Sequence, residues 1–188
     1  MAPMARPNPK SRAKDMFLSM GVLLVPLVLV IAFFTMNPDE NVAAIDIAPD
    51  LQRAEAEAPY PVLRAEHLPE GWKPVRSAWA KDGAKWIDNK PADGNTWMAG
   101  YMGPDGVYYG IEQRDRGVEN VVRRVTREGQ ETGHTVDAAG MQWQSYESAD
   151  GRTTSLVAKR DGWVAVVSAD TNLDAISAFA TTLAPVVE

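Results

Sequence analysis

"TWMAGYMGPDGVYYGIEQR", residues 96–114, decides the fold of this chain. Two runs rich in aromatic and β-forming residues, 96–102 and 107–114, flank Gly103-Pro104-Asp105-Gly106. Turn residues between such runs signal a β-hairpin. Trp97 and Tyr101 share one strand face by the two-residue period, as do Tyr109 and Ile111 in the next strand. That face either packs beneath a helix or walls a ligand groove, and Trp97, Tyr101 and Tyr109 are its candidate ligand-binding residues.

Outward from the hairpin, "KPVRSAWA" (73–80) reads as a strand after the turn Pro69-Glu70-Gly71, and residues 81–95 read as a loop. Val118, Val121, Val122 and Val125 recur at helical spacing, with Glu119, Asn120, Arg123, Arg124 and Arg127 on the other faces. "EGQETGHTVDAAG" (128–140) reads as a loop. Strands are expected at 141–148, 152–160 and 162–169, separated by the turns Ala149-Asp150-Gly151 and Asp161-Gly162. Thr171 or Asn172 caps a last helix whose stripe is Leu173, Ile176, Phe179, Ala180 and Leu183, with Pro185 after it. Strands and helices in this order imply an α+β domain: a largely antiparallel sheet of about six strands with two helices.

Ahead of this domain lies "KDMFLSMGVLLVPLVLVIAFFTMNPDE" (14–40). Residues 16–36 are 21 positions without a charge, and only Ser19 and Thr35 are polar. As a helix they cover roughly 30 Å, the hydrocarbon thickness of a bilayer. Residues 16–36 are therefore expected to be an N-terminal transmembrane helix, mildly kinked at Pro26, with the lipid bilayer as partner. Arg6, Lys10, Arg12 and Lys14 precede the run, and no basic residue follows it until Arg53. The positive-inside rule then puts the N-terminus in the cytoplasm and the C-terminal domain outside, in a single-pass plasma-membrane protein. The run exceeds the 7–15 residues of a typical cleaved signal, and the only small-residue site, Val42-Ala43-Ala44, lies beyond acidic Asp39 and Glu40. A retained signal-anchor is the reading.

Charge divides the chain the same way. Residues 1–15 form a basic tail of net +3, and 37–58 an acidic linker of net −5 in which a short helix fits Leu51 to Ala58. Residues 59–188 are the domain, net −4, and hold all six tryptophans. With no broad basic face, nucleic acid is not expected as a partner. The absence of cysteine removes disulfides, thiolate catalysis and a lipidated cysteine.

Catalytic groups are sparse. His67 and His134 are the only histidines and fall in separate loops, with Glu66 or Asp137 as a third ligand but no ligand motif. No metal or other cofactor is expected. Glu112 needs a second acid, such as Glu147, for acid–base work; otherwise it belongs to a solvated or salt-bridged strand face. Ser145, Ser155 and Ser168 lack a nucleophile elbow, and "GYMGPDG" lacks the Lys-Ser/Thr ending of a phosphate loop. Arg123, Arg124 and Arg127 form either a solvated helix face or a grip for an anionic envelope polymer.

"LPEGW", "WMAGYMGPDGVYYGIEQ" and "GMQW", behind a basic start and one apolar span, resemble a family of actinobacterial single-pass membrane proteins with an extracytoplasmic domain of unknown function. The ordered set that carries the resemblance is Leu68-Pro69-Gly71-Trp72, Trp97-Gly100-Tyr101, Pro104-Asp105-Gly106, Tyr109, Gln113, Gly140 and Trp143. The order of elements is also similar to the Mog1/PsbP-like fold. The resemblance implies an anchored exported domain and brings no reaction with it. The functional expectation is a non-catalytic binding or interaction domain for an envelope protein or glycan, with Trp97, Tyr101, Tyr109, Arg123 and Arg127 as candidate contacts. The alternative is a cell-envelope enzyme using carboxylates on a glycan-type substrate.

Overall fold

The computed structural model describes residues 9–35 and 42–185. These fall into two compact units, one ending at Val42 and one beginning at Ala43. The first contains helix α1 (Pro9–Thr35), with Pro26 inside it. Lys10, Arg12, Lys14 and Asp15 lie in its first two turns, and no charged residue follows them. The large apolar side chains from Met16 to Ile31 are exposed, among them Phe17 at 65 %, Leu23 at 74 % and Leu29 at 64 %. Among the described residues, no helix is long and apolar enough to cross a membrane. Met36, the end of the expected span, lies outside the described residues, as do residues 1–8 of the basic tail and 37–41 of the acidic linker.

The second unit starts earlier than expected. The Ile45 N–H donates to the Pro74 carbonyl at 2.9 Å. Helix α2 (Ala48–Glu57) follows and buries Leu51 and Ala54 against the sheet. Ser77 Oγ donates to Asp50 at 2.6 Å, and Trp79 Nε1 to Glu57 at 2.8 Å. Residues 43–58 are thus part of the domain, a correction to the reading of 37–58 as a linker. An alanine- and glutamate-rich segment has high helix propensity and needs only a few apolar positions to dock.

The core is a seven-stranded antiparallel sheet in the order β2 (Lys73–Ala80), β3 (Thr96–Met102), β4 (Tyr108–Arg114), β8 (Trp163–Ala169), β7 (Thr154–Arg160), β6 (Met141–Glu147), β5 (Gln130–Ala138). The expected hairpin is present: Gly106 N–H donates to the Gly103 carbonyl at 3.0 Å, and Gly106 takes the left-handed φ of 76° that a glycine permits. Two features differ from expectation. Residues 130–138 are strand β5, not loop; this edge strand is exposed along most of its length, so it shows no apolar alternation. A separate two-stranded ribbon pairs β1 (Leu63–Ala65) with β9 (Leu183–Pro185). At three residues each, these strands are too short for a periodic signal.

Helices α2 and α4 (Leu173–Thr181) and the β1–β9 ribbon cover one sheet face, joining Trp97, Tyr101, Tyr109, Trp143, Leu156, Val167 and Phe179 in one core. Asn172 caps α4, accepting from the Ala175 N–H at 2.9 Å. Helix α3 (Val118–Val125) covers part of the opposite face, setting Val121 and Val122 on Val157, Val164 and Val166. Beside it, Tyr108 lies over Gly100 and Gly110; a Cβ on Gly100 would sit 2.1 Å from the Tyr108 hydroxyl.

Burial has a measurable consequence for the five tyrosines. Desolvation is the first cause raising Tyr60, Tyr101, Tyr108, Tyr109 and Tyr146, and Tyr146 is pushed up to about 12, with Glu131 on its hydroxyl adding to the effect. Since the folded values exceed the unfolded one, this stabilisation is complete below about pH 10 and is lost as pH rises from there through the folded values. A near-ultraviolet titration of the native chain should show less tyrosinate at about pH 10 than the unfolded chain, which is half-ionised there. Half-ionisation of the native chain at that pH would contradict the packing.

Candidate functional site

The aromatic candidates do not line a groove. Trp97 is 0 % exposed, and Tyr101 and Tyr109 are each 2 % exposed. The structure packs Tyr109 against Trp72 and Phe179, with ring centroids 4.8 and 5.1 Å away. Trp97, Tyr101 and Gln113 instead strap the chain before β2 to the sheet. Trp97 Nε1 donates to the Leu63 carbonyl at 2.9 Å, and the Ala65 N–H donates to Tyr101 Oη at 3.2 Å. Gln113 accepts from the Leu63 N–H at 2.6 Å and donates to the Pro61 carbonyl at 2.9 Å. The proposed contacts at Trp97, Tyr101 and Tyr109 are therefore corrected: these side chains are consumed by the core, which is how a half-apolar, hydrogen-bonding ring is ordinarily accommodated.

The arginines gather on the other face. A recess of about 560 Å³ lies between α3 and the end of β4, lined by Arg114, Asn120, Arg123, Arg124, Arg127 and Glu128. Its floor is a buried ion cluster. Glu112, 5 % exposed, accepts at Oε1 from Arg124 at 2.5 Å and from Arg114 at 3.2 Å. Arg114 is itself 8 % exposed. Arg127 meets Asp170 at 3.3 Å, and Arg123 makes no ion pair among the described residues. The expectation of a salt-bridged strand face thus holds for Glu112, but the pair is enclosed rather than solvated. Glu112 and Arg114 are two apart on one strand, so the period of two could have placed both on the α3 face.

The chain turns sharply at the end of α3. Arg127 and Glu128 both take left-handed φ values, 55° and 58°, and the Glu128 N–H reaches back to the Arg123 carbonyl at 2.7 Å. Glycine is the usual residue at such a helix end, and a side chain there costs about 1–2 kcal/mol. Arg127→Gly relieves that cost, offset by glycine's greater freedom when unfolded and the loss of an exposed ion pair. Its unfolding free energy should stay within about 1 kcal/mol of wild type. A fall of several kcal/mol in a denaturation curve would show that the turn depends on the arginine side chain.

The carboxylate pair does not form. Glu112 lies on the α3 face with Val166, while Glu147, paired with Thr154 in register with Leu156, belongs to the opposite face. Three strand spacings also separate them, about 14 Å. Glu147 instead lines a polar cleft of about 500 Å³ with Thr132, His134, Ser145, Asp170 and Asn172. His134 is therefore an exposed side chain of β5 and not a loop residue, while His67 is exposed in a bend. Among the described residues, no cluster of three or more His, Cys, Asp or Glu side chains could hold a metal.

Comparison with known proteins gives a family and little else. No curated protein matches the chain. A crystal structure of MucB in complex with MucA(peri) is similar over 67 % of this chain and 37 % of that one, at 13 % identity and a TM-score of 0.36. The chain thus spans little more than a third of that protein's length. Residues 10–183 match the model of the family described as protein of unknown function (DUF4245), and the chain belongs to that family.

Proposed function

We infer that the chain is a membrane-anchored, extracytoplasmic binding module that acts without catalysis, gripping an anionic envelope protein or glycan at the α3–β4 recess. The observation that carries the binding half is the arginine cluster there, fixed from beneath by Glu112 and open to solvent at Arg123, Arg124 and Arg127. Arginine is suited to this task because its planar guanidinium presents several donors at once and stays charged.

The anchor rests on α1 and on the sequence 16–36. A helix exposing large apolar side chains on every side finds no partner in water, whereas lipid satisfies it at no cost. The basic residues before it orient the N-terminus to the cytoplasm and place the second unit outside. With no native cysteine, one introduced thiol reports topology cleanly. Ala149 is exposed in the turn between β6 and β7. Ala149→Cys in the full chain should react with a membrane-impermeant maleimide in intact cells, and the chain should resist alkaline carbonate extraction. Labelling only after lysis, or release by carbonate, would overturn this reading.

A further inference from the structure

The wall of the α3–β4 recess carries more positive charge than its carboxylates cover. A single oxygen, Glu112 Oε1, serves both the Arg114 and the Arg124 guanidiniums. Arg114 is buried, yet its Nε has no hydrogen-bond partner. The other buried side-chain atom left so among the described residues, Ser155 Oγ, belongs to the same sheet face. Buried donors without partners are costly, and a buried guanidinium sharing half a carboxylate is under-neutralised. At the rim, Arg127 has only exposed Asp170, which also faces Arg152 at 3.9 Å. Arg123 contributes a charge with no ion partner among the described residues. Against Arg114, Arg123, Arg124 and Arg127 stand Glu112, Glu128 and Asp170, an excess of one positive charge. Glu112 and Arg114 are both enclosed and offset each other, so the exposed rim keeps the same excess of one.

We propose that this recess binds the phosphate group of a phosphorylated envelope component, a ligand class that rests on the reading of the domain as a binding module. Phosphate fits better than a single carboxylate for two reasons. Its one to two negative charges suit a rim of three guanidiniums that the two exposed acids, Glu128 and Asp170, leave incompletely neutralised. Its tetrahedral oxygens can also meet planar forks arriving from different directions, and here Arg123 and Arg124 arrive from the helix while Arg127 arrives from the turn after it. Arg123 and Arg127 are the gripping side chains. Arg114, Glu112 and Arg124 hold the floor, and the left-handed turn at 127–128 aims the third guanidinium. The phosphate has two sources with one chemistry: a lipid headgroup, or a soluble phosphate ester.

The test uses the full chain in neutral maltoside micelles at fixed ionic strength. Inorganic phosphate is titrated against chloride and acetate, following thermal midpoint and the guanidinium N–H resonances. In a second arm, phosphatidylglycerol is doped into the micelles. Phosphate should raise the midpoint and shift the arginine resonances where acetate and chloride do not. R123Q and R127Q, both at exposed positions that leave the fold intact, should each weaken the response about tenfold, the value of one charge-assisted hydrogen bond. Arg160→Gln, whose exposed guanidinium meets the Gly140 carbonyl away from the recess, should leave it unchanged. A response to doped lipid alone assigns a headgroup, and a response to free phosphate alone a soluble ester; either supports the site. Equal responses to phosphate and acetate, no response in either arm, or full response in R123Q/R127Q would overturn it. Those failures leave the cysteine-labelling result untouched, and a wrong topology would leave phosphate binding in micelles intact.

Discussion

Trp97→Ala should lower the unfolding free energy by about 3–5 kcal/mol, the range for removing a large aromatic from a packed core. Trp97 is 0 % exposed and sits in the main core on β3. Two losses combine. The vacated volume is walled by a sheet that cannot collapse into it, and the Leu63 carbonyl loses the indole N–H at 2.9 Å. A buried acceptor left unpaired costs about 1–3 kcal/mol by itself. Trp97→Phe separates the two, since it retains an aromatic ring while deleting the donor, so it should show mainly the hydrogen-bond loss. Chemical denaturation of the full chain in micelles, followed by tryptophan fluorescence, measures both. If Trp97 were instead a ligand contact on a groove, Trp97→Ala would reduce binding and leave the midpoint in place. A shift below about 1 kcal/mol for the alanine variant would restore that reading.

The same residue shows what could be read from the sequence and what could not. The hairpin around Gly103–Gly106, the valine spacing of α3 and the stripe of α4 as far as Ala180 are local patterns that appear where their period puts them, whereas Leu183, expected on that stripe, lies in β9. Period two also set Trp97 and Tyr101 on one face, but periodicity is silent on whether that face meets a helix or a ligand. The answer came from 30 and more residues away, in the backbone of Pro61, Leu63 and Ala65, which Gln113, Trp97 and Tyr101 bind. The residues that make the chain resemble its family thereby acquire a physical role. Trp97, Tyr101, Tyr109, Gln113 and Trp143 build and strap the core, and Gly100 gives Tyr108 room to lie flat. They specify a fold, and this explains why they suggest no reaction.

Edge and surface elements were less legible for a related reason. Strand β5 has little to bury, and its hairpin to β6 turns through Ala139 and Gly140, both at positive φ. Asparagine or aspartate before that glycine would have announced such a turn, whereas alanine does not. Helix α2 had the opposite fault: its acidic face dominated the composition, while Leu51 and Ala54, the two positions that dock it, are too few to stand out. For the recess, Arg123 and Arg127 could be singled out as a charge run. Their partner Arg114 could not, because only the crossing of α3 over the sheet brings it near them.

Glu112→Gln should cost about 3–5 kcal/mol, although it changes one oxygen for one nitrogen. The wild-type carboxylate neutralises Arg114, whose side chain is only 10 % exposed, and the amide leaves that guanidinium charged and unpaired inside the sheet. Arg124 matters less here, since its side chain is 56 % exposed and water can receive it. Removing both buried charges should reverse most of the loss. In Glu112→Leu with Arg114→Met, packing replaces an ion pair whose Coulomb gain is largely cancelled by desolvation, so the double variant should lie near wild type. Denaturation curves of Glu112→Leu, Arg114→Met and the double variant form a thermodynamic cycle that isolates the coupling. Equal instability of the single and double variants would mean that shape, not charge, holds β4 against α3. Recovery of stability has a further consequence for the recess. The double variant keeps Arg123, Arg124 and Arg127 on their backbone but removes the fixed floor, so it should fold as well as wild type and grip phosphate less well. That combination would assign the buried pair to the site rather than to the fold.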